Sequence, residues 1–103
     1  MKTEIAEVLV EWDDNKNQIN KQKHGVSFEE AKTVFFDEEA LLKDDPDHSE
    51  TEDRFILLGV SVETNVLVVV HCYRAEDTVI RIISARKATK NEEKQYVSSI
   101  GGR

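Results

Sequence analysis

The 103-residue chain has little of several things: one cysteine, one proline, one tryptophan and four glycines. A lone Cys72 cannot form an internal disulfide and lacks the Cys/His spacing of a zinc site. Inside the apolar run VLVVVHCY it reads as a small buried hydrophobe rather than a nucleophile. No Gly-, Ser- or Pro-rich stretch, repeat or low-complexity segment divides the chain, so one domain over residues 1–103 is expected. No apolar run approaches the ~18 residues of a membrane helix. The opening MKTEIAEVLVEW is broken by Glu4, Glu7 and Glu11, which argues against a secretion signal. No membrane partner and a cytoplasmic location are therefore expected. A glycine-rich phosphate loop, a nucleophile elbow and a metal-ligand cluster are also missing, and His24, His48 and His71 fall on three different elements. The expectation is chemistry without metal or cofactor.

What is present is charge, unevenly placed. The net charge of −7 would argue against a nucleic-acid partner if it were uniform. Residues 37–53, DEEALLKDDPDHSETED, hold nine acids against Lys43, a balance of −8 that leaves the rest of the chain at +1. From Arg81 to Arg103 six basic side chains face two acids, or +4.

The pattern of apolar and capping residues predicts the elements. Ile5 to Glu11 reads as a strand. A helix follows, capped by Asp13 or Asp14 and ended by Gly25, with Lys16, Asn20 and Lys23 on one side and His24 beside them; their polarity predicts a solvated face. VSFEEAKTVFF opens on a capping box, Ser27 and Glu30, and sets Phe28, Ala31 and Phe35 on one stripe with Val34 adjacent. Three apolar runs, RFILLGVSV, VLVVVHCY and VIRIISA, are joined by the turns Glu63-Thr64-Asn65 and Ala75-Glu76-Asp77 and predict an antiparallel meander. Thr89 and Glu92 form a second capping box for a last helix from about Lys90 to Ser99, with Tyr96 and Ile100 inward and a loose tail. The order strand, two helices, three or four strands, helix predicts an α+β fold with helices packed on one face of the sheet.

Two arginines, Arg81 and Arg86, interrupt the apolar run TVIRIISARKAT, where an unpaired guanidinium is costly. Together with Lys16, Lys23, His24, Arg54, His71 and Tyr73 they form a cationic, hydrogen-bonding set. Such a set suits metal-free phosphoryl chemistry, in which an RNA 2′-hydroxyl attacks its own phosphate and arginines stabilise the developing charge. Strand parity opposes this: on a regular strand Arg81 and Arg86 point to opposite faces. A bulge near Ser84, or a strand that ends there, would bring them together. The alternative is structural, with one arginine paired to an acid such as Glu52 to fix register.

EWDDNK, KHGVSFEEA, VFFD, the trio Glu52-Asp53-Arg54, Gly59, LVVV, RIISARKAT, Glu92 and Tyr96 resemble, in the same order, the BrnT family of type II toxin-antitoxin ribonucleases. The resemblance spans residues 11–96. It implies a RelE-like microbial ribonuclease fold, metal-independent endoribonuclease activity that halts translation, neutralisation by a BrnA-type antitoxin, and contact with DNA only through that antitoxin; it leaves a homodimer open. The family positions carried over are Trp12, Asp13, Lys16, Asn20, Lys23, His24, Gly25, Phe28, Phe35, Glu52, Arg54, Gly59, Arg81, Ser84, Arg86, Lys87 and Tyr96. Of these, Gly25, Phe28, Phe35 and Gly59 are explained by helix ending, packing and backbone fit. Arg54, Arg81 and Arg86 are expected to hold the scissile phosphate. Lys23 and His24 are expected to serve proton transfer or backbone binding, with Glu52 as an alternative base. Lys16, Lys87, Trp12 and Tyr96 are the expected RNA contacts, Trp12 serving either for base stacking or as core. The rival reading is a non-catalytic module of the same fold that binds only a protein partner.

Overall fold

The computed structural model describes residues 9–45 and 53–101. The part of the expected first strand before Leu9, the loop positions His48 and Glu52, and the last two residues lie outside them. The elements run β1 (Leu9–Glu11), α1 (Asp14–His24), α2 (Phe28–Thr33) with a 3-10 turn (Val34–Phe36), β2 (Leu41–Asp44), β3 (Arg54–Val60), β4 (Val66–Arg74), β5 (Val79–Lys87) and α3 (Lys90–Gly101).

The helix ends form largely as their sequences predict. The Asp13 carboxylate accepts from the Lys16 N–H at 3.1 Å, and Gly25 ends α1 at φ 69°, a left-handed conformation that glycine adopts without a Cβ clash. Thr89 and Glu92 cap each other's N–H groups at 3.2 and 2.8 Å. The box at α2 is only half made. Ser27 accepts from the Glu30 N–H at 3.0 Å, while the Glu30 carboxylate accepts from Ser61 and Asn65 in the β3–β4 turn, at 2.7 and 2.9 Å.

The sheet has the order β1-β5-β4-β3-β2. Three features correct the sequence reading. First, β2 forms inside the acidic stretch, where Leu41 and Leu42 pair with Leu58 and Leu57. Second, the sheet is mixed: β2 to β5 form the antiparallel meander, but β1 runs parallel to β5. Third, helices cover both faces. Val26, Phe28, Ala31 and Val34 pack on Leu57, Leu67, Val69, Ile82 and Ala85, whereas Tyr96 of α3 packs on Leu58 and Val68. Leu57 and Leu58, like Leu67 and Val68, are neighbours on one strand and so point to opposite faces. Because β3 and β4 are apolar on both faces, each needs a cover.

Two side chains serve as short substitutes for strands. β1 reaches only Val79 to Arg81 along the outer edge of β5. Farther along that edge the Asn20 amide accepts from the Ala85 N–H at 3.1 Å and donates to the Ala85 carbonyl at 2.8 Å, with a second donation to the Val26 carbonyl at 2.8 Å. Asn20 is thus buried, not part of a solvated face. Its neighbour Asn17 is buried too and accepts from the Phe28 N–H at 2.8 Å. On the far side, β2 stops opposite Leu58, and the Asp37 carboxylate accepts from the Val60 N–H at 2.9 Å.

The Tyr96 hydroxyl donates to the same carboxylate at 2.6 Å, tying α3 to the end of the 3-10 turn. Burial works to raise the Asp37 carboxyl. Hydrogen bonds from Tyr96, Val60 and Glu39 outweigh it and hold the group below its ordinary value. Burial and the Asp37 carboxylate push the Tyr96 hydroxyl up to about 12. A Cβ on Gly59 would lie 2.9 Å from Val34 Cγ1, Asp37 Oδ2 and Ala40 Cβ, so this position accepts only glycine at no steric cost. Ile100, expected inward with Tyr96, is exposed one helical turn beyond it.

Candidate active site

Strand β5 decides where the arginines go. Along it Ser84 opposes Val70 of β4 and Ile82 opposes His71, so Ile83 is an extra residue in a bulge beside Ser84. Before the bulge Ile80 and Ile82 are buried; after it, Ala85 is. The inward parity therefore switches from even to odd positions, and Arg81 and Arg86 emerge on the same face.

Cross-strand pairs share a face, so the ladder extends the site. Arg81 opposes Cys72, Cys72 opposes Arg54, and Glu11 of β1 opposes Arg81. The result is a row Glu11–Arg81–Cys72–Arg54 across four strands. Arg86 opposes Val68, four residues from Cys72 on β4 and so on the same face, which is the face that α3 covers in part.

Each β5 arginine has a resident carboxylate. Arg81 donates to Glu11 at 2.7 Å, with side chains 31% and 44% exposed. Arg86 forms a two-pronged pair with Glu92, at 2.8 and 2.9 Å. Glu92 thereby closes the α3 cap and holds a guanidinium at once. The hydrogen bond from Arg86 drives its carboxyl down to about 2, against the opposition of burial, and the Arg86 guanidinium is raised in return.

Because the folded Glu92 value lies below the ordinary 4.5, its stabilisation is complete above pH 4.5 and is lost as pH falls through about 2. Glu92→Gln should remove this part of the acid sensitivity, leaving a flatter stability profile between those limits in denaturant titrations. An unchanged profile would show that Glu92 does not carry it.

Lys23 is exposed and His24 half-buried at the C-terminal end of α1, three and four residues beyond Asn20 and on its side of the helix. Lys16 is exposed in the first turn of α1. Lys87 opposes Leu67, which packs under α2, so it belongs to the opposite face from the arginine row. Trp12 packs edge-on against Phe28 at 6.2 Å, beside the core. Tyr96 is buried, with its hydroxyl engaged by Asp37. Glu52 lies outside the described residues. Glu11 and Glu92 as arginine partners, and Asn20 as the plug on the β5 edge, were not anticipated. The signal for Asn20 was present: Asn17 and Asn20, three apart on a helix with almost no apolar residues, are what such a helix has to turn inward.

The family model that matches this chain, over residues 12–92, is described as the ribonuclease toxin BrnT of type II toxin-antitoxin systems. Among solved structures, the crystal structure of the Brucella abortus ribonuclease toxin BrnT superposes with a TM-score of 0.60. It shares 22% sequence identity, over 81% of this chain and 99% of that one, a likeness of fold. No curated protein matches the chain by sequence. Because the family model takes in both the helix that plugs β5 and the bulged strand that gathers the arginines, the chain belongs to the BrnT family of type II toxin-antitoxin ribonuclease toxins.

Proposed function

We propose that the arginine face is the catalytic site of a metal-independent endoribonuclease. The RNA 2′-oxygen forms a bond to the adjacent phosphorus as the bond from phosphorus to the 5′-oxygen breaks, giving a 2′,3′-cyclic phosphate and a 5′-hydroxyl. A base takes the 2′-proton and an acid returns one to the leaving oxygen. Arg81, Arg86 and Arg54 neutralise the charge that develops on the phosphate oxygens. His24 and Lys23 serve proton transfer or grip the backbone, and Glu52 is the alternative base. Lys16 attracts the backbone, and Lys87, on the opposite face from the row, adds only general attraction. The positions of Trp12 and Tyr96 favour packing over base stacking for both. Glu11 and Glu92 hold the guanidiniums in place until phosphate displaces them.

The observation that carries this reading is the bulge at Ile83, since without it Arg81 and Arg86 would lie on opposite faces of the sheet. The proposed setting is RNA cleavage in the cytoplasm that halts translation, on a RelE-like scaffold, with neutralisation by a BrnA-type antitoxin through which alone the protein meets DNA.

Chelation and salt test the chemistry. Excess EDTA should leave the rate unchanged, and a loss restored by a divalent ion would overturn the metal-free mechanism. Each phosphate contact contributes roughly −0.7 to the salt slope for single strands, so three arginine contacts give about −2 in log binding constant against log salt. Salt-independent RNA binding would remove the electrostatic argument. Absence of cleavage by the isolated chain, with intact antitoxin binding, would favour the non-catalytic alternative.

A further inference from the structure

On the opposite face of the sheet from the arginine row lies an open cavity of about 640 Å³, lined by Asp53, Phe55, Tyr73 and Asp77. Its walls are aromatic: the Phe55 and Tyr73 rings meet edge to face, with centroids 5.2 Å apart and planes at 62°. Beneath them sits His71, fully buried, 5.3 Å from Tyr73 and 4.9 Å from Phe35 between ring centroids. Burial lowers the His71 pKa, so this ring behind the cavity lining adds no positive charge to oppose a bound cation. Two carboxylates share the lining. Asp53 directly precedes β3, and Asp77 lies in the β4–β5 turn, where its charge helps burial to raise the Tyr73 hydroxyl. Neither carboxylate is held in a salt bridge among the described residues.

We propose that this cavity seats an arginine or lysine side chain of the antitoxin, a reading that rests on the family's protein partner. Two aromatic rings set at a steep angle beside two carboxylates match a cation on an apolar stem: the rings attract it through their quadrupoles and the carboxylates pair with its head. The volume suits one long side chain with the backbone that presents it. RNA is disfavoured here because its phosphates would meet the carboxylates of Asp53 and Asp77. The grip is therefore separable from the cleavage chemistry, which uses the other face.

The test pairs a small probe with the whole complex. In proton–nitrogen NMR, N-acetyl-arginine amide should shift the signals of Phe55, Tyr73 and Asp77. The uncharged isostere N-acetyl-citrulline amide should not, and the effect should vanish in the Asp53→Asn/Asp77→Asn variant. The same variant should bind the antitoxin encoded beside this chain about tenfold or more weakly by calorimetry, while cleaving RNA at the unaltered rate. Equal antitoxin affinity, equal response to both probes, or loss of RNA binding in the variant would overturn the cavity assignment, the last result transferring it to nucleic acid. If the unaltered protein neither cleaves RNA nor binds the antitoxin, the family-based reading itself fails, and the cavity assignment falls with it.

Discussion

Arg81→Ala and Arg86→Ala are each expected to lower RNA cleavage about 10²- to 10³-fold with the fold intact, the usual cost of removing one preorganised donor to a developing charge. The case for an intact fold is geometric. Both arginine side chains are half-exposed, at 31% and 42% of their surface, and their partners Glu11 and Glu92 reach solvent. A single-contact pair such as Arg81–Glu11 contributes about 0–1 kcal/mol to stability. The two-pronged Arg86–Glu92 pair contributes more, so Arg86→Ala should melt somewhat earlier than Arg81→Ala while remaining folded. Lysine at either position keeps the charge but loses the planar fork, so Arg81→Lys should recover only part of the activity. Because both arginines act on one phosphate, the double variant should fall by less than the product of the single losses. Circular dichroism melts beside single-turnover cleavage decide the matter. If both alanine variants melt far earlier than the parent, the arginines are structural and the site assignment fails.

The largest effect on stability is expected at Asn20. Its side chain makes three buried hydrogen bonds to backbone groups of Ala85 and Val26. Asn20→Ala leaves those groups without partners at a place β1 does not reach. With about 1–3 kcal/mol for each unsatisfied buried group and partial relief from entering water, we expect a loss of about 3 kcal/mol. For a domain of this size that lowers the melting temperature by roughly 12–24 °C. Asn20→Asp keeps the shape but replaces the amide donor with a carboxylate beside two carbonyl oxygens, and should be at least as damaging above pH 5. Urea unfolding curves for both variants provide the measurement. A change within about 0.5 kcal/mol would show that water or a shift of α1 replaces the amide.

These two predictions rest on different kinds of information. The three long strands, the caps at Asp13, Ser27 and Thr89, and the left-handed end at Gly25 were legible because each is written locally, in apolar periodicity or in the placing of a short polar side chain before a helix. The half-made box at α2 was not, because the Glu30 carboxylate finds its partners in a turn thirty residues farther on. The position of strand β2 is not legible for a related reason. Its four residues sit among acids, and only pairing with β3 makes them a strand. The parallel placement of β1 and the second covered face are likewise properties of assembly. The apolar run of β3 signalled burial on both faces, but not which helix would provide it.

The sequence by itself determined the class of fold, the family, and the cationic set from which a phosphate site could be built, since these depend on residue identity and local spacing. It also posed the parity conflict between Arg81 and Arg86 and named the bulge near Ser84 that would resolve it. Only the tertiary structure decided that the bulge exists, because a bulge is a relation between two strands: Ile83 is extra only when Val70 and His71 are consecutive opposite Ser84 and Ile82. The same ladder brings Arg54 and Glu11 into the row from distant parts of the chain. Whether Asn20 faces water or a strand edge was decided there too, because a polar side chain is buried when unpaired backbone groups wait for it, and those groups belong to a residue 65 positions away.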